Sequence, residues 1–158
     1  DSAGRLNLRI RLCAVGRMRQ GPEQVLFDAY NARLRDPIIL NEVDVRQKLD
    51  PDRLAVKEAE LLLAAADAEV IVALDERGDN PASRAFAARL AKWRDEGVRE
   101  TAFLIGGANG LNKDVRERAH YRLSFGAMTW PHLMVRGLLA EQIYRAQQIH
   151  AGHPYHRD

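Results

Sequence analysis

Residues Glu69 to Asp75, EVIVALD, form an almost unbroken apolar run of strand length. A strand with one wet face alternates polar and apolar residues. A run without that alternation belongs to a central parallel strand covered on both faces. Thr101 to Gly107, TAFLIGG, repeats the signature and ends on glycines. Outward from this pair, Leu8 to Val15 alternates at Leu8, Ile10, Leu12 and Ala14, and Ile38 to Val45 follows Pro37 as a further strand. Leu123 to Met128 is expected as the fifth. Between them the period is helical: Glu23 to Arg35 carries Val25, Leu26, Ala29, Tyr30 and Leu34 at helix spacing. Asp50-Pro51 and Asn80-Pro81 are starts of helices that reach about Ala66 and Gly97, and Asn112 caps a short helix ending near Tyr121. A last, long helix runs from Pro131 to about His150.

Strands that alternate with helices predict an α/β fold, a mostly parallel sheet flanked by helices. The 158 residues suit one domain, expected over 9–158, with 1–8 a ragged extension. Ligands of such sheets bind beyond the carboxyl ends of the strands. Three features stand there: Leu74-Asp75, the GGANG turn from Gly106, and the FGAMTWPH segment from Phe125. They converge if strands three, four and five are neighbours.

Composition excludes some classes. No apolar run approaches the roughly 20 residues of a membrane span, and Asp1 to Asn7 lacks the basic-then-apolar layout of a secretory signal. The one cysteine, Cys13, sits in an apolar strand run and reads as a packed thiol in a reducing, cytoplasmic setting. Of the 24 cations 20 are arginine, although the net charge is only +2. Arginine forks suit phosphate and stack on bases, so the balance permits an RNA partner, while biased codon usage produces the same excess.

Familiar nucleotide motifs are missing. No glycine is followed by lysine in the phosphate-loop frame, and Gly106, Gly107 and Gly110 follow the fourth strand with a spacing unlike the dinucleotide fingerprint. Glycines at a strand-to-helix turn still let a ligand approach the backbone, or make only a tight turn. His150, His153 and His156 have a suggestive spacing, but Gly152 and Pro154 interrupt the helix and no acidic or thiol ligand stands beside them, so no metal is expected. The donor- and aromatic-rich tail could contact RNA or be a solvated terminus. Glu141 and Arg145 are four apart, enough for a plain helical ion pair.

The segments LIGGANGL (Leu104 to Leu111), LSFGAMTWPHLMVRGLLAEQIYRA (Leu123 to Ala146) and GHPYHR (Gly152 to Arg157) closely resemble the RlmH family of large-subunit ribosomal RNA methyltransferases. RIRLCAVG from Arg9 and VIVALDERG from Val70 extend the resemblance to nearly the whole chain. It implies a SPOUT-class methyltransferase whose C-terminal segment threads a loop as a trefoil knot, a path that no periodicity would suggest. It also implies a homodimer with each site built from both subunits, S-adenosylmethionine as donor, and 23S rRNA in the 70S ribosome as substrate. The target would be N3 of the helix 69 pseudouridine.

Carried over by position, the cofactor would lie against Leu74 and Gly106, with the loop Phe125, Gly126, Ala127, Met128, Thr129 and Trp130 as the other wall. N3 is an imide N–H and must lose a proton, so a base is expected. His153 comes first, because imidazole titrates near neutrality, and Glu141 second. His132, Arg136, Arg145, Tyr155, His156 and Arg157 are expected RNA or cross-dimer contacts. The turn carries Ala108-Asn109 where relatives often have an acid at the second position, which alters local charge and leaves the turn. Two rivals stand beside this reading: a SPOUT enzyme acting on tRNA, and a ribosome-binding factor that has kept the fold without the activity.

Overall fold

A computed structural model describes residues 5–158. Five strands form one all-parallel sheet: β1 (Arg9–Val15), β2 (Ile39–Val43), β3 (Val70–Asp79), β4 (Glu100–Ile105) and β5 (Tyr121–Leu123), in the order β2-β1-β4-β3-β5. Strands three, four and five are therefore neighbours, as the convergence of the three loops requires. Val72 pairs with Phe103 across β3 and β4, and Leu74 with Leu123 across β3 and β5. All six residues of β4 are buried, the polar Glu100 and Thr101 included, as a central strand covered on both faces requires.

Helices α1 (Pro22–Asn31), α2 (Pro51–Ala65), α3 (Ser83–Asp95), α4 (Lys113–Arg118) and α5 (His132–His150) connect and cover the strands. Phe103 and Ile105 point to a core shared with Phe27 of α1, Leu90 of α3 and Leu139 of α5. The alternate residues Ala102 and Leu104 face a smaller core with Leu62 of α2 and Val115 of α4. Three helices thus lie on one face and two on the other. Two helix starts have their predicted side-chain caps: Asp50 accepts from Arg53 N at 2.9 Å, and Asn112 from Asp114 N at 2.6 Å. Cys13 is fully buried and its thiol is pushed up to about 11 by desolvation, in keeping with a packing role.

Two expectations need correction. Leu6 and Leu8 belong to the core, so the packed body starts ahead of Arg9; of the expected extension, residues 1–4 lie outside the described residues. The fifth strand is Tyr121–Leu123, and Ser124 to Pro131 is a loop. Ser124 ends the strand locally: its hydroxyl donates to Gly126 O and accepts from Gly126 N, both at 3.0 Å, while Gly126 adopts φ +117°. The apolar residues that mimic a strand in sequence, Phe125 and Met128, line a cavity instead.

The α1–α5 contact depends on Gly137. A Cβ there would stand 2.5 Å from Leu26 Cδ2. Gly137→Ala is expected to destabilise by about 1–2 kcal/mol, overpacking outweighing the gain in helix propensity. Adding Leu26→Ala should recover part of that loss in urea denaturation, a coupling that independent sites would not show.

Candidate functional site

A cavity of about 660 Å³ opens at the carboxyl ends of β3, β4 and β5, within the range of small-ligand sites. Its floor is Leu74, Ile105 and Leu123, the last or nearly last sheet-paired residue of each strand. One wall is the turn Gly106 to Gly110, closed by Gly110 N donating to Gly107 O at 2.9 Å. Gly106 is buried, and a Cβ on it would collide with the backbone carbonyl of Gly110. Only glycine fits. Apart from the adjoining residues, no protein atom lies within 4 Å of where a Cβ would stand on Gly110 or Gly126, which leaves those backbone faces open to a ligand.

The opposite wall is the Ser124–Pro131 loop. Met128 there is 76% exposed and Trp130 41%, unusual for large apolar side chains and suited to covering a flat apolar ligand. Thr129 Oγ1 donates to Glu76 Oε2 at 3.4 Å and ties this loop to the end of β3. Asp75 and Glu76 put carboxylates on the cavity lining, a favourable environment for a cationic ligand. Asp75 is already engaged by Arg77, which donates from its backbone N at 3.1 Å and from Nε at 3.3 Å.

Helix α5 supplies the roof through His132 and Val135. One turn on, Arg136 is fully buried. Its guanidinium donates to Glu42 Oε2, to Gly16 O at 2.9 Å and to Val15 O at 3.3 Å, and Glu42 also accepts from Met18 N. Arg136 therefore fastens the start of α5 to the ends of β1 and β2. The expectation that it contacts RNA is corrected on this point: the guanidinium has no exposed surface, its two Nη atoms serve three internal acceptors, and its Nε is enclosed without a partner, so no phosphate can reach it.

His132 is held below the usual histidine value of 6.5, first by desolvation and second by the charge of Arg136. Folding thus disfavours its charged form. The stability it contributes is complete above pH 6.5 and is lost as pH falls from there through the depressed folded value. The stability difference between the wild type and His132→Asn, measured by urea unfolding from pH 8 to pH 5, should shrink over that window; a constant difference would contradict the assignment.

Comparison with known proteins follows this geometry. The chain matches the family described as "Predicted SPOUT methyltransferase" over residues 8–156. It is 56% identical over 151 residues to ribosomal RNA large subunit methyltransferase H of Rhodospirillum centenum, covering 95% of this chain and 99% of that one. The corresponding protein of Paramagnetospirillum magneticum is 52% identical with the same coverage. The chain belongs to the SPOUT methyltransferases, in the large-subunit methyltransferase H family. Solved structures agree on the fold: a probable methyltransferase from Bordetella pertussis superposes with a TM-score of 0.61 at 16% identity, over 92% of this chain and 98% of that one. A probable methylase family protein from Haemophilus influenzae gives 0.58 at 12% identity, over 96% and 72%.

In this SPOUT chain the cavity gathers Leu74, Gly106, Phe125, Gly126, Met128, Thr129 and Trp130. Ala127 shares the loop but does not line the cavity, and His132, expected at RNA, does line it. Ser124 and Val135 were not anticipated. A serine two residues before a glycine at a strand end was the available signal for the first.

The tail residues gather elsewhere. Arg145 donates to Glu141 through Nε at 2.9 Å and lies 3.0 Å from His156 Nδ1. Tyr155 packs edge-on to Tyr144 with centroids 4.8 Å apart, and its hydroxyl donates to Glu141 at 3.3 Å. Burial, with Tyr30 and Glu141 adding, pushes the Tyr155 phenol up to about 12, so it stays a neutral donor. His153 and Arg157 are exposed. None of Arg145, His153, Tyr155, His156 and Arg157 lines the cavity. Glu141 is nearer: it lines a second hollow of about 280 Å³ that shares Leu123, Ser124, Phe125 and Trp130 with the first. His150, His153 and His156 have separate partners in Ala87 O, Tyr155 N and Arg145, and no group of three potential metal ligands occurs among the described residues.

Proposed function

We propose that this chain transfers a methyl group from S-adenosylmethionine to N3 of the helix 69 pseudouridine of 23S rRNA, on the assembled 70S ribosome in the cytoplasm. The observation that carries the reading is identity above 50%, over nearly the full length of both chains, to proteins named as large-subunit rRNA methyltransferases. The cavity fits the donor. Its apolar floor and Met128 suit an adenine ring, its open glycine faces admit a bent ligand, and Asp75 and Glu76 are complementary to a sulfonium.

Bound S-adenosylmethionine supplies an electrophilic methyl group. Everything else falls to the protein: holding the acceptor in line, excluding water, and taking the proton from N3. Glu141 accepts from Arg145, Gln142 and Tyr155, which makes it a better anchor than base. His153 has one nitrogen occupied, Nδ1 accepting from Tyr155 N at 3.1 Å, and is exposed. We assign it the proton and place it in the site of the other protomer of a homodimer. The absence of tail residues from the cavity of their own protomer supports that arrangement. So does the exposure of Met128 and Trp130 at the rim. Arg145, Tyr155, His156 and Arg157 would then position the tail and meet RNA across the dimer. The trefoil-knotted path of a SPOUT C-terminus suits a chain that passes the sheet edge at β5 and returns as α5 against α1 and α3.

His153→Ala is expected to lower the rate of methyl transfer roughly 100-fold or more, the usual weight of a positioned base, with S-adenosylmethionine affinity unchanged by calorimetry. The target atom is tested by reverse transcription of rRNA from treated 70S particles. A methyl on N3 blocks the pairing edge and stops the polymerase one nucleotide short of the target. Transfer without a stop would point to N1 or to a sugar and overturn the N3 assignment.

A further inference from the structure

Beside the cavity, on the open edge of the sheet, β3 and α4 frame a second feature. Two adjoining hollows of about 280 and 350 Å³ share Arg77, Arg116, Glu117 and Arg122. Asp75 and Arg77 line both the second of these and the main cavity, so the groove runs into the site. The backbone enforces the crowding. A Cβ on Gly78 would lie 2.6 Å from Arg122 C and O, so β3 presses directly on β5 and sets Arg77 one residue from that contact.

The charges do not cancel. Arg77 pairs with Asp75 at 3.3 Å and Lys113 with Glu117 at 3.5 Å. Arg116 and Arg122 have no carboxylate partner among the described residues, and Arg122 is exposed. The remaining acid of the groove, Asp79, turns its backbone carbonyl to Ser124 N and makes no ion pair among the described residues. His120 adds no donor through Nδ1, which accepts from Ile71 N at 3.0 Å. Across the two hollows Arg77, Lys113, Arg116 and Arg122 face Asp75, Asp79 and Glu117, so cations are in excess, and the two guanidiniums without a carboxylate partner are available to a bound anion.

We propose that this groove is a phosphate track, in which Arg116 and Arg122 hold the RNA backbone next to the nucleotide being methylated. The proposal rests on the rRNA reading above and assigns its backbone contacts to the β5 edge, apart from the C-terminal tail. Phosphate contacts fix register and carry the salt dependence of binding, while the cavity selects the base. The shared residues Asp75 and Arg77 make the track continuous with the donor site.

The test uses Arg116→Ala/Arg122→Ala in the full chain. Its probes are an end-labelled 23S rRNA fragment containing helix 69 and, separately, 70S particles lacking the modification. At about 0.1 M salt the double variant should bind both probes roughly tenfold more weakly. The slope of log affinity against log salt should fall by about 1 to 2, one released counterion per lost contact. S-adenosylmethionine affinity should match the wild type, which also reports a folded site, and Arg116→Lys/Arg122→Lys should regain most of the loss. Equal affinities and slopes for wild type and double variant would overturn the proposal while leaving the rRNA reading intact. Weakening on 70S without weakening on the free fragment would assign the arginines to a ribosomal protein and also overturn it. A wild type that binds neither probe would refute the rRNA reading, and the track with it.

Discussion

Gly106→Val weakens S-adenosylmethionine binding by roughly 100-fold in calorimetry and reduces methyl transfer in step. The side chain would occupy the position of the Gly110 carbonyl, which is backbone and cannot swing aside. Opening the turn to make room costs on the order of 1–3 kcal/mol and also shifts one wall of the cavity, so the upper end applies to the ligand. Circular dichroism should remain that of the wild type, because the turn lies beyond the end of β4. Unchanged cofactor affinity would remove the glycine turn from the site. The same variant tests the proposed sharing of the active site between two protomers. Mixed and re-formed with His153→Ala protomers, it should restore activity at roughly a quarter of the sites: half the dimers are mixed, and each mixed dimer has one intact combination. No recovery would mean that each protomer uses its own tail.

Arg136→Met is the substitution expected to cost most in stability, about 3 kcal/mol, or roughly 6–12 °C in Tm for a domain of this size. It removes three hydrogen bonds and leaves the carbonyls of Val15 and Gly16 and one oxygen of Glu42 without that donor. Glu42 retains Met18 N and partial exposure, which keeps the loss at the lower end for a broken buried pair. Arg136→Met with Glu42→Gln should be less destabilised than Arg136→Met alone, because the orphaned charge is gone. If Arg136→Met melts with the wild type yet fails to bind rRNA, the buried fastening is wrong and the RNA role returns.

Much of this was written in the local pattern. EVIVALD and TAFLIGG announce central strands because only strands covered on both faces can be apolar throughout. Asp50-Pro51 and Asn112 announce helix starts because their side chains satisfy otherwise unpaired amides. β5 escapes the pattern because three residues, YRL, carry too little signal to compete with the apolar stretch after Ser124. Whether Phe125 and Met128 meet a sheet or a cavity is decided by tertiary structure, which period cannot report. Arg136 was legible in principle: it falls in register with Leu139, Ala140 and Ile143, the buried stripe of α5, and a charge on that stripe must have an internal partner. Glu42, 94 residues away in sequence, gives no local sign of being that partner. The tail is the opposite case. Its motif pointed to function through resemblance, while its folding onto Glu141, Arg145 and Tyr144 depends on a turn at Gly152, φ +71°, that the sequence only hints at.

The most direct test of the central claim is methyl transfer from labelled S-adenosylmethionine to three substrates in parallel: 70S ribosomes from a strain lacking the modification, free 50S subunits, and tRNA. Label in 23S rRNA that maps to the helix 69 pseudouridine and depends on the intact 70S particle is the predicted result. Label in tRNA instead, or no transfer to any of the three by a protein that binds the cofactor, would contradict it.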